Sequence, residues 1–269
     1  MEIKFPEAQT YIDAANDVPK WFLQPFNKLD FKQLPGLSRP RSSQGSFGIV
    51  LFAKHENQDC AFKFFTTSTK PNIINRYKVI SKGIKEIDCT LFVKFELIEE
   101  KLKILTKKGI PVPFLQMENA GGETLEKYFE KIFQSSISNN FESKKRLSSK
   151  FLKIWLDACK QLNSAGVAHG DLQHGNILVD FNPDDFQPKS IKLIDYDGIW
   201  FEELNNDPPN EHGQPNYNLP SRSNKNYGPK MDFFSQLLIA TSLYIIPEMT
   251  SYTDKDSLFF KNSDIDNPR

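Results

Sequence analysis

The most constraining feature of this sequence is a polar loop, residues 169–176, that lies between two strongly patterned apolar segments. Before the loop, apolar residues recur at steps of three and four, which predicts one buried face of a helix. The members of this face are Leu147, Phe151, Trp155, Ala158 and Leu162. After the loop, residues 177–179 and 191–194 flank the turn-rich segment 182–185, which predicts a β-hairpin. The hairpin joins the loop to the strand that ends before Asp195, so it is expected to bring Asp195 close to the loop.

Composition limits the classes of protein to which the chain can belong. With 269 residues, of which 39% are hydrophobic, it can bury the core of one large or two small domains. Lysine plus arginine and aspartate plus glutamate number 34 each, so no overall field favours nucleic acid or an anionic membrane. The longest apolar stretch, residues 237–246, is too short to span a bilayer, and the first residues do not resemble a signal peptide. Three cysteines without CxxC spacing favour a reducing compartment. We expect a cytoplasmic protein without nucleic-acid or membrane partners.

The first half of the chain has the pattern of a β-rich region. Residues 1–40 are predicted to be an extension with a short helix at 7–15. The strands predicted after it lie at 49–52, 60–65, 91–98 and 113–117. A helix is expected at 73–85, and the first two strands flank a turn, which predicts a hairpin. In the second half, residues 134–145 are predicted to be a loop or a frayed helix end, and the almost wholly apolar run 232–246 predicts a central buried helix.

Two features of the first half are typical of a nucleotide site. Residues 44–50, Gln-Gly-Ser-Phe-Gly-Ile-Val, place two glycines directly before a strand. Glycines at such a position allow backbone amides to approach phosphates closely. Lys63 lies in the otherwise apolar strand 60–65, where a charge is costly unless it is paired. A lysine on the solvent-exposed edge of a sheet is the alternative interpretation of Lys63.

Together these motifs resemble those of the protein-kinase-like superfamily, from about Phe31 to the C-terminus, with features of both protein kinases and aminoglycoside-type phosphotransferases. The resemblance implies an α+β, bilobal fold with a β-rich N-terminal lobe and a mainly helical C-terminal lobe. The implied division is an N-terminal extension at 1–40, an N-lobe at 41–118 and a C-lobe at 119–269. This C-lobe is short for the family, so we expect a minimal lobe or a piece of a longer protein.

The resemblance also implies catalytic roles for three residues. Asp171 corresponds to the aspartate that accepts or orients the proton of the acceptor hydroxyl. Gln173 stands where many protein kinases have a lysine, and it can hydrogen-bond a phosphate oxygen without adding charge. Lys63 matches the lysine of the V-A-I-K motif, which reaches the α- and β-phosphates of ATP. Its glutamate partner on the following helix is not obvious, and Glu86 is the nearest candidate.

ATP and Mg²⁺ are the ligands that this resemblance implies. The residues expected to contact the nucleotide are Gly45, Ser46, Phe47, Gly48, Val50, Ala61, Lys63, Met117, Glu118 and Asn119. The last three belong to the expected hinge, where backbone groups can bind adenine. Asn176 and Asp195 are the expected metal ligands. Asp197 is either a second carboxylate ligand or only a turn carboxylate beside Gly198.

Three further matches bear on the acceptor and on regulation. Gly170 replaces the arginine of the H-R-D motif, so we expect constitutive competence instead of a phosphorylation switch. Residues 213–220 resemble the G-T-P-x-Y-x-A-P-E segment, where substrate peptides dock, although Ser221 replaces its glutamate. Asp232 matches the aspartate that braces the catalytic loop.

These matches favour a kinase that transfers the γ-phosphate of ATP to a serine or threonine of a protein substrate. A small-molecule kinase of the aminoglycoside or choline type is the first alternative, because the His-Gly-Asp-Leu form of the loop is typical of such enzymes. A nucleotide-binding pseudokinase that acts as a scaffold is the second. It is suggested by Ser43, where the first glycine of the loop would be, and by the uncharged Gln173.

Overall fold

The chain folds as two units, one rich in strands and the other mainly helical, which confirms the α+β class predicted from the sequence. The first unit comprises residues 1–85 and 93–119, and the second comprises residues 86–92 and 120–269. The computed structural model describes residues 4–45, 48–66, 73–106, 109–209, 213–219, 221–252, 256–260 and 264.

An antiparallel sheet is the framework of the first unit. Its elements are α1 (Ala8–Asn16), α2 (Val18–Trp21), β1 (Asp30–Phe31), β2 (Ser42–Gln44), β3 (Gly48–His55), β4 (Gln58–Phe65), α3 (Ile73–Glu86), β5 (Phe95–Ile98) and β6 (Phe114–Glu118). Within the described residues, the six strands have the order β1-β3-β4-β6-β5, and β2 also pairs with β3. The predicted hairpin is confirmed as β3 and β4. Glu56 and Asn57 connect these strands with φ values of 50° and 66°, the left-handed conformation that two-residue hairpin turns require.

The N-terminal residues, expected to be an extension, pack into the first unit. The helix predicted at 7–15 is present as α1, and the hydroxyl of Tyr11 donates a hydrogen bond to the carbonyl oxygen of Phe65 over 2.7 Å. Strand β1 adds to the sheet beside β3, and Phe22 forms an isolated antiparallel bridge with Leu102. The sheet is therefore completed by chain that precedes the glycine-rich segment.

The core of the first unit is built on one group of phenylalanine rings, which we call the aromatic cluster. Its members are Phe22, Phe26, Phe31, Phe62, Phe64 and Phe114, none more than 4% exposed. Phe62 contacts three other members, because its ring centroid lies 6.0 Å from that of Phe114, 6.1 Å from that of Phe31 and 6.4 Å from that of Phe26. Tilted and edge-to-face ring pairs at such distances stabilise the fold beyond the contribution of the apolar area that they bury.

Within the described residues, the second unit contains three α-helices and a small sheet. Its elements are β7 (Glu123–Thr124), α4 (Leu125–Gln134), α5 (Phe141–Ser164), β8 (Ile177–Phe181), β9 (Pro188–Leu193) and α6 (Phe233–Tyr244). The helical face predicted from residues 147–162 is buried on α5. This helix begins earlier than predicted, within the segment expected to be a loop or frayed end, because the side chain of Asn140 accepts a hydrogen bond from the amide of Ser143 over 2.9 Å. The hairpin predicted after the polar loop is confirmed as β8 and β9.

The prediction that the last apolar run is a central, fully buried helix is wrong for part of α6. Phe233, Leu237 and Tyr244 are 47%, 66% and 69% exposed, whereas Leu238, Ile239 and Leu243 are buried. A sequence that is apolar on all sides gives no indication of which sides have neighbours, and α6 packs on α5 with one side. In the described part of the chain, no helix has both the length and the apolar character needed to cross a membrane.

Candidate active site

The polar loop is anchored at the end of the hairpin formed by β8 and β9. Ile177 pairs with Leu193 in the antiparallel register, and the carbonyl oxygen of Asn176 accepts a hydrogen bond from the amide of Ile194 over 3.0 Å. Because the two strands run antiparallel, the residue before β8 and the residues after β9 lie at the same end of the sheet. Asn176 and Asp195 are therefore neighbours in space, as the sequence predicted.

A buried carboxylate holds the start of the loop in place. Asp232 is 1% exposed, and its two oxygens accept hydrogen bonds from the amides of His169, over 2.5 Å, and Gly170, over 2.9 Å. Burial raises the pKa of Asp232, while the two amide donors and the guanidinium of Arg222 oppose that rise. The predicted bracing role of Asp232 agrees with these contacts, because a buried carboxylate is stable only where donors replace its lost water.

His169 contributes a second brace through its imidazole ring, which is fully buried. The ring accepts a hydrogen bond at Nδ1 from the amide of Asp171, over 3.4 Å, so Nε2 carries the proton and donates to the carbonyl oxygen of Ile194 over 3.0 Å. His169 thus links the loop to the strand end that carries Asp195.

Both carboxylate oxygens of Asp171 accept hydrogen bonds. Oδ2 accepts from the side-chain amides of Gln173, over 2.9 Å, and Asn176, over 2.8 Å. Oδ1 accepts from the backbone amide of Gln214 over 2.8 Å. The structure therefore brings together Asp171, Gln173 and Asn176, which the sequence had singled out, and adds a contact from the segment expected to dock a substrate.

The oxygen atoms around Asn176 suit a magnesium ion. The Nδ2 atom of Asn176 donates to the backbone and side-chain oxygens of Asp171, so its amide oxygen is directed away from Asp171. Asp195 is exposed, with a φ of 69°, and Asp197 is half-buried. Within the described residues, no three side chains of histidine, cysteine, aspartate or glutamate cluster as a metal site. Mg²⁺ needs only one or two protein carboxylates when nucleotide phosphates and water supply the other ligands, so this donor set fits it.

In the first unit, six of the ten predicted nucleotide residues lie on three adjacent strands, β3, β4 and β6. Lys63 faces Val50 across β3 and β4, and Ala61 faces Met117 across β4 and β6. Glu118 is the last residue of β6, and Asn119 follows it directly. The interpretation of Lys63 as a solvent-facing edge lysine is wrong, because β4 lies between β3 and β6 and Lys63 is only 8% exposed.

The side chain of Lys63 meets an aromatic residue of α3. Its Nζ atom lies 3.4 Å from the hydroxyl oxygen of Tyr77, to which it donates, and 6.0 Å from the centroid of the ring. Tyr77 is the fifth residue of α3, while Glu86 is the last, about 14 Å farther along the axis at 1.5 Å per residue. Glu86 as the carboxylate partner of Lys63 stays a prediction.

The glycine-rich segment forms the connection between β2 and β3. The amide of Gly45 donates to the carbonyl oxygen of Gly48 over 2.9 Å. A Cβ atom at Gly48 would lie 2.6 Å from the carbonyl oxygen of Phe64, so the closeness of β4 requires glycine there, whereas the space around Gly45 is open. Ser46 and Phe47, two of the predicted nucleotide contacts, lie outside the described residues.

Two contacts between the polar loop and residues 213–222 were missed in the sequence. The Nδ1 atom of His174 lies 2.5 Å from the hydroxyl oxygen of Tyr217, and both residues are buried. Arg222 donates from Nη2 to the carbonyl oxygen of Gly170 over 2.6 Å. No local sequence pattern indicates the second contact, because Gly170 and Arg222 are 52 positions apart.

Relatives among known proteins agree with this arrangement. Calcium-dependent protein kinase 7 of Oryza sativa subsp. japonica is 26% identical over 215 residues, which cover 76% of this chain and 34% of that protein. A probable serine/threonine-protein kinase 2 of Plasmodium falciparum (isolate K1 / Thailand) is 36% identical over 101 residues, which cover 37% of this chain and 19% of that protein. The chain thus spans only about a third or less of the length of these relatives.

The fold and the family are also matched beyond these two sequences. The crystal structure of a kinase domain aligns with a TM-score of 0.50 at 17% identity, covering 84% of this chain and 71% of that one, which is a likeness of fold. The family model described as the protein kinase domain matches residues 43–265, most of the chain. The chain therefore belongs to the protein kinase domain family.

Proposed function

We propose that this protein is an ATP- and Mg²⁺-dependent kinase that transfers the γ-phosphate to the hydroxyl of a serine or threonine in a protein substrate. The observation that carries the proposal is the environment of Asp171, whose carboxylate is oriented by Gln173 and Asn176 on a loop braced by Asp232. Membership of the protein kinase family supports it, and so do the two relatives, which are named as protein kinases.

In this proposal, Asp171 orients the acceptor hydroxyl and accepts its proton as the oxygen bonds to the γ-phosphorus. The bond from the γ-phosphorus to the β–γ bridging oxygen breaks in the same transfer, and ADP leaves. Gln173 donates a hydrogen bond to Asp171 here and would donate to a phosphate oxygen during transfer. A neutral amide stabilises the charge that develops in the transition state less than a lysine would. Loops that position reactants in this way provide much of the catalysis of phosphoryl transfer.

The remaining roles belong to ATP binding. Asn176 and Asp195, with Asp197 as a third candidate, would hold Mg²⁺, which when bound offsets the negative charge of the phosphates. Lys63 would contact the α- and β-phosphates, beside a glycine-rich segment that includes Gly45 and Gly48. The hinge residues Met117, Glu118 and Asn119 would bind adenine through backbone groups. We further propose that the lobes are residues 41–118 and 119–269, and that the protein works in the cytoplasm.

A scaffolding pseudokinase remains the second candidate, since one observation favours it. The amide of Gln214 donates to Oδ1 of Asp171 over 2.8 Å, so an acceptor hydroxyl must either share Oδ1 with Gln214 or displace one of the donors that Asp171 already has. An enzyme has to allow one of these approaches, whereas a scaffold does not.

Labelled ATP separates the candidates. The purified chain is incubated with Mg²⁺ and ATP labelled in the γ-phosphate, together with protein acceptors, and separately with aminoglycosides and choline. Label on serine or threonine supports the proposal, and label only on a small acceptor supports a small-molecule kinase. Nucleotide binding without any transfer supports the pseudokinase.

Two variants test the assigned roles. Asp171→Ala should keep Mg²⁺-dependent ATP binding and lower transfer by about 10²- to 10⁴-fold, as expected for loss of an acid–base group. Asp195→Ala should lose the Mg²⁺-dependent binding itself. Asp157→Ala, which removes an exposed carboxylate on α5, is the control and should match the wild type. Full transfer by Asp171→Ala would show that the role assigned to Asp171 is wrong.

A further inference from the structure

The backbone at Gly170 leaves no space for a side chain. Its φ is 84°, in the left-handed region, and a Cβ atom would lie 2.1 Å from the carbonyl oxygen of Gly198. That distance is far below any van der Waals contact, so the turn after Asp197 packs directly on the peptide of residue 170. No cation can be attached to the loop at this position.

A cation reaches the same peptide from another segment. The guanidinium of Arg222 donates from Nη2 to the carbonyl oxygen of Gly170 over 2.6 Å, and from Nη1 to the side-chain oxygen of Asn218. Burial lowers the pKa of Arg222, while Asp232 and Asp171 act in the opposite direction. A guanidinium stays protonated under all ordinary conditions, so this is a charge-assisted contact.

Residue 170 is thus held by opposite charges on its two backbone groups. Its amide donates to the carboxylate of Asp232 over 2.9 Å, and its carbonyl accepts from the guanidinium of Arg222. Because the peptide between residues 170 and 171 is planar, the orientation of Gly170 also constrains the orientation of Asp171.

Arg222 is also connected by hydrogen bonds to the segment that contacts Asp171. Asn218, which accepts from Arg222, donates from Nδ2 to the carbonyl oxygen of Gln214 over 2.9 Å. The amide of Gln214 in turn donates to Oδ1 of Asp171 over 2.8 Å. Two routes therefore lead from Arg222 to Asp171, one through Gly170 and one through Asn218 and Gln214.

We propose that Arg222 is a positioning residue that fixes residues 213–218 to the catalytic loop, and so sets the acceptor geometry without a phosphorylated side chain. This inference rests on the function proposed above. In this proposal, Arg222 supplies a permanent cation beside residue 170, where the backbone leaves no space for a side chain on the loop itself. Ordering of the acceptor site is then a built-in property of the fold.

The first test measures order and needs no turnover. Hydrogen–deuterium exchange is compared between the wild type and Arg222→Ala in peptides covering residues 168–176 and 213–219. Exchange in both peptides should accelerate in Arg222→Ala, and peptides of the first unit should be unchanged. Lys225→Ala, which removes an exposed cation three residues away, should exchange like the wild type. Unchanged exchange in both peptides of folded Arg222→Ala would overturn the proposal.

The second test measures catalysis. Arg222→Ala should lower kcat by about tenfold to a hundredfold, as expected for the loss of hydrogen bonds to a charged group, while the KM for ATP stays the same. Arg222→Lys should recover part of the loss, and free guanidinium ion should partly rescue Arg222→Ala. If the melting temperature falls but kcat per folded molecule does not, Arg222 is only structural and the proposal is wrong.

The outcomes separate the two levels of inference. A wild type that transfers no phosphate contradicts the proposed function. Even then, faster hydrogen exchange in Arg222→Ala would support the conclusion that Arg222 fixes residues 213–218 to the loop. An active wild type with an unaffected variant contradicts only the role of Arg222. Where Arg222→Ala does not fold, Arg222→Gln takes its place, because it keeps a neutral donor of similar length.

Discussion

The two units hold their important residues in different ways. In the first unit, Lys63 and its neighbours lie over a core of packed rings, the aromatic cluster around Phe62. In the second, Asp171 is held by a network of hydrogen bonds that includes Asp232 and Gln214. Packing depends on volume and area, whereas hydrogen bonds depend on direction and partner. Substitutions in the aromatic cluster should therefore affect mainly stability, and those in the hydrogen-bond network around Asp171 should affect mainly catalytic geometry.

The largest expected effect is on stability. Phe62→Ala removes a ring of the aromatic cluster that is fully buried, and should lower the free energy of unfolding by about 3–5 kcal/mol. Transfer per folded molecule should change little. Urea denaturation measures the first quantity, and initial rates corrected for the folded fraction measure the second.

A milder variant at the same site provides the control. Phe62→Leu keeps most of the apolar volume and should lose less stability than Phe62→Ala. If the two variants were equally destabilised, cavity formation would not be the cause.

A matched pair of tyrosines tests the comparison itself. Tyr11→Phe removes a hydroxyl that donates to Phe65 in the first unit, and Tyr217→Phe removes one bonded to His174 in the second. Each should lose about 1 kcal/mol of stability, but only Tyr217→Phe should slow transfer. Thermal unfolding and initial rates measure the two quantities. Equal slowing by both substitutions would contradict the distinction between the units.

The smallest effect is expected at the surface. Asp59 forms an ion pair with Lys32 over 2.8 Å, and the hydrogen bond from Lys32 holds the pKa of Asp59 below its usual value of 3.8. A lowered pKa stabilises the fold at pH values above the pKa of Asp59 in the unfolded chain. This contribution disappears as the pH falls through the pKa of Asp59 in the folded protein. Asp59→Asn should therefore have a slightly lower melting temperature than the wild type at neutral pH, and the difference in melting temperature should disappear in acid. High salt should also reduce this difference in melting temperature. A difference that persists in acid would contradict the ion pair as its cause.

The parts of the fold that follow local patterns could be predicted from the sequence. The steps of three and four along α5 and the turn residues between β3 and β4 depend on neighbours in the chain, so they indicate helix and hairpin directly. Asp171, Gln173 and Asn176 could be found for the same reason, because their spacing within one loop carries the signal. In the structure, Gln173 and Asn176 both donate hydrogen bonds to the carboxylate of Asp171.

Contacts between distant segments could not be predicted in this way. Arg222 and Gly170 are 52 positions apart, and no local pattern indicates that a guanidinium and a carbonyl oxygen so far apart will meet. The exposed side of α6 has the same cause, since exposure depends on which other elements pack there. The N-terminal residues also gave a weak signal, because they contribute single buried rings and one short strand rather than a repeating pattern.

The crowding at Gly170 also limits how this protein can evolve. A codon change from glycine to arginine at that position would restore the usual motif of the family, but any carbon attached there would collide with the carbonyl oxygen of Gly198. The turn would therefore have to be rebuilt before an arginine could be accommodated. Descendants of this sequence that keep the turn cannot acquire phosphate-responsive control by substituting arginine for Gly170 alone.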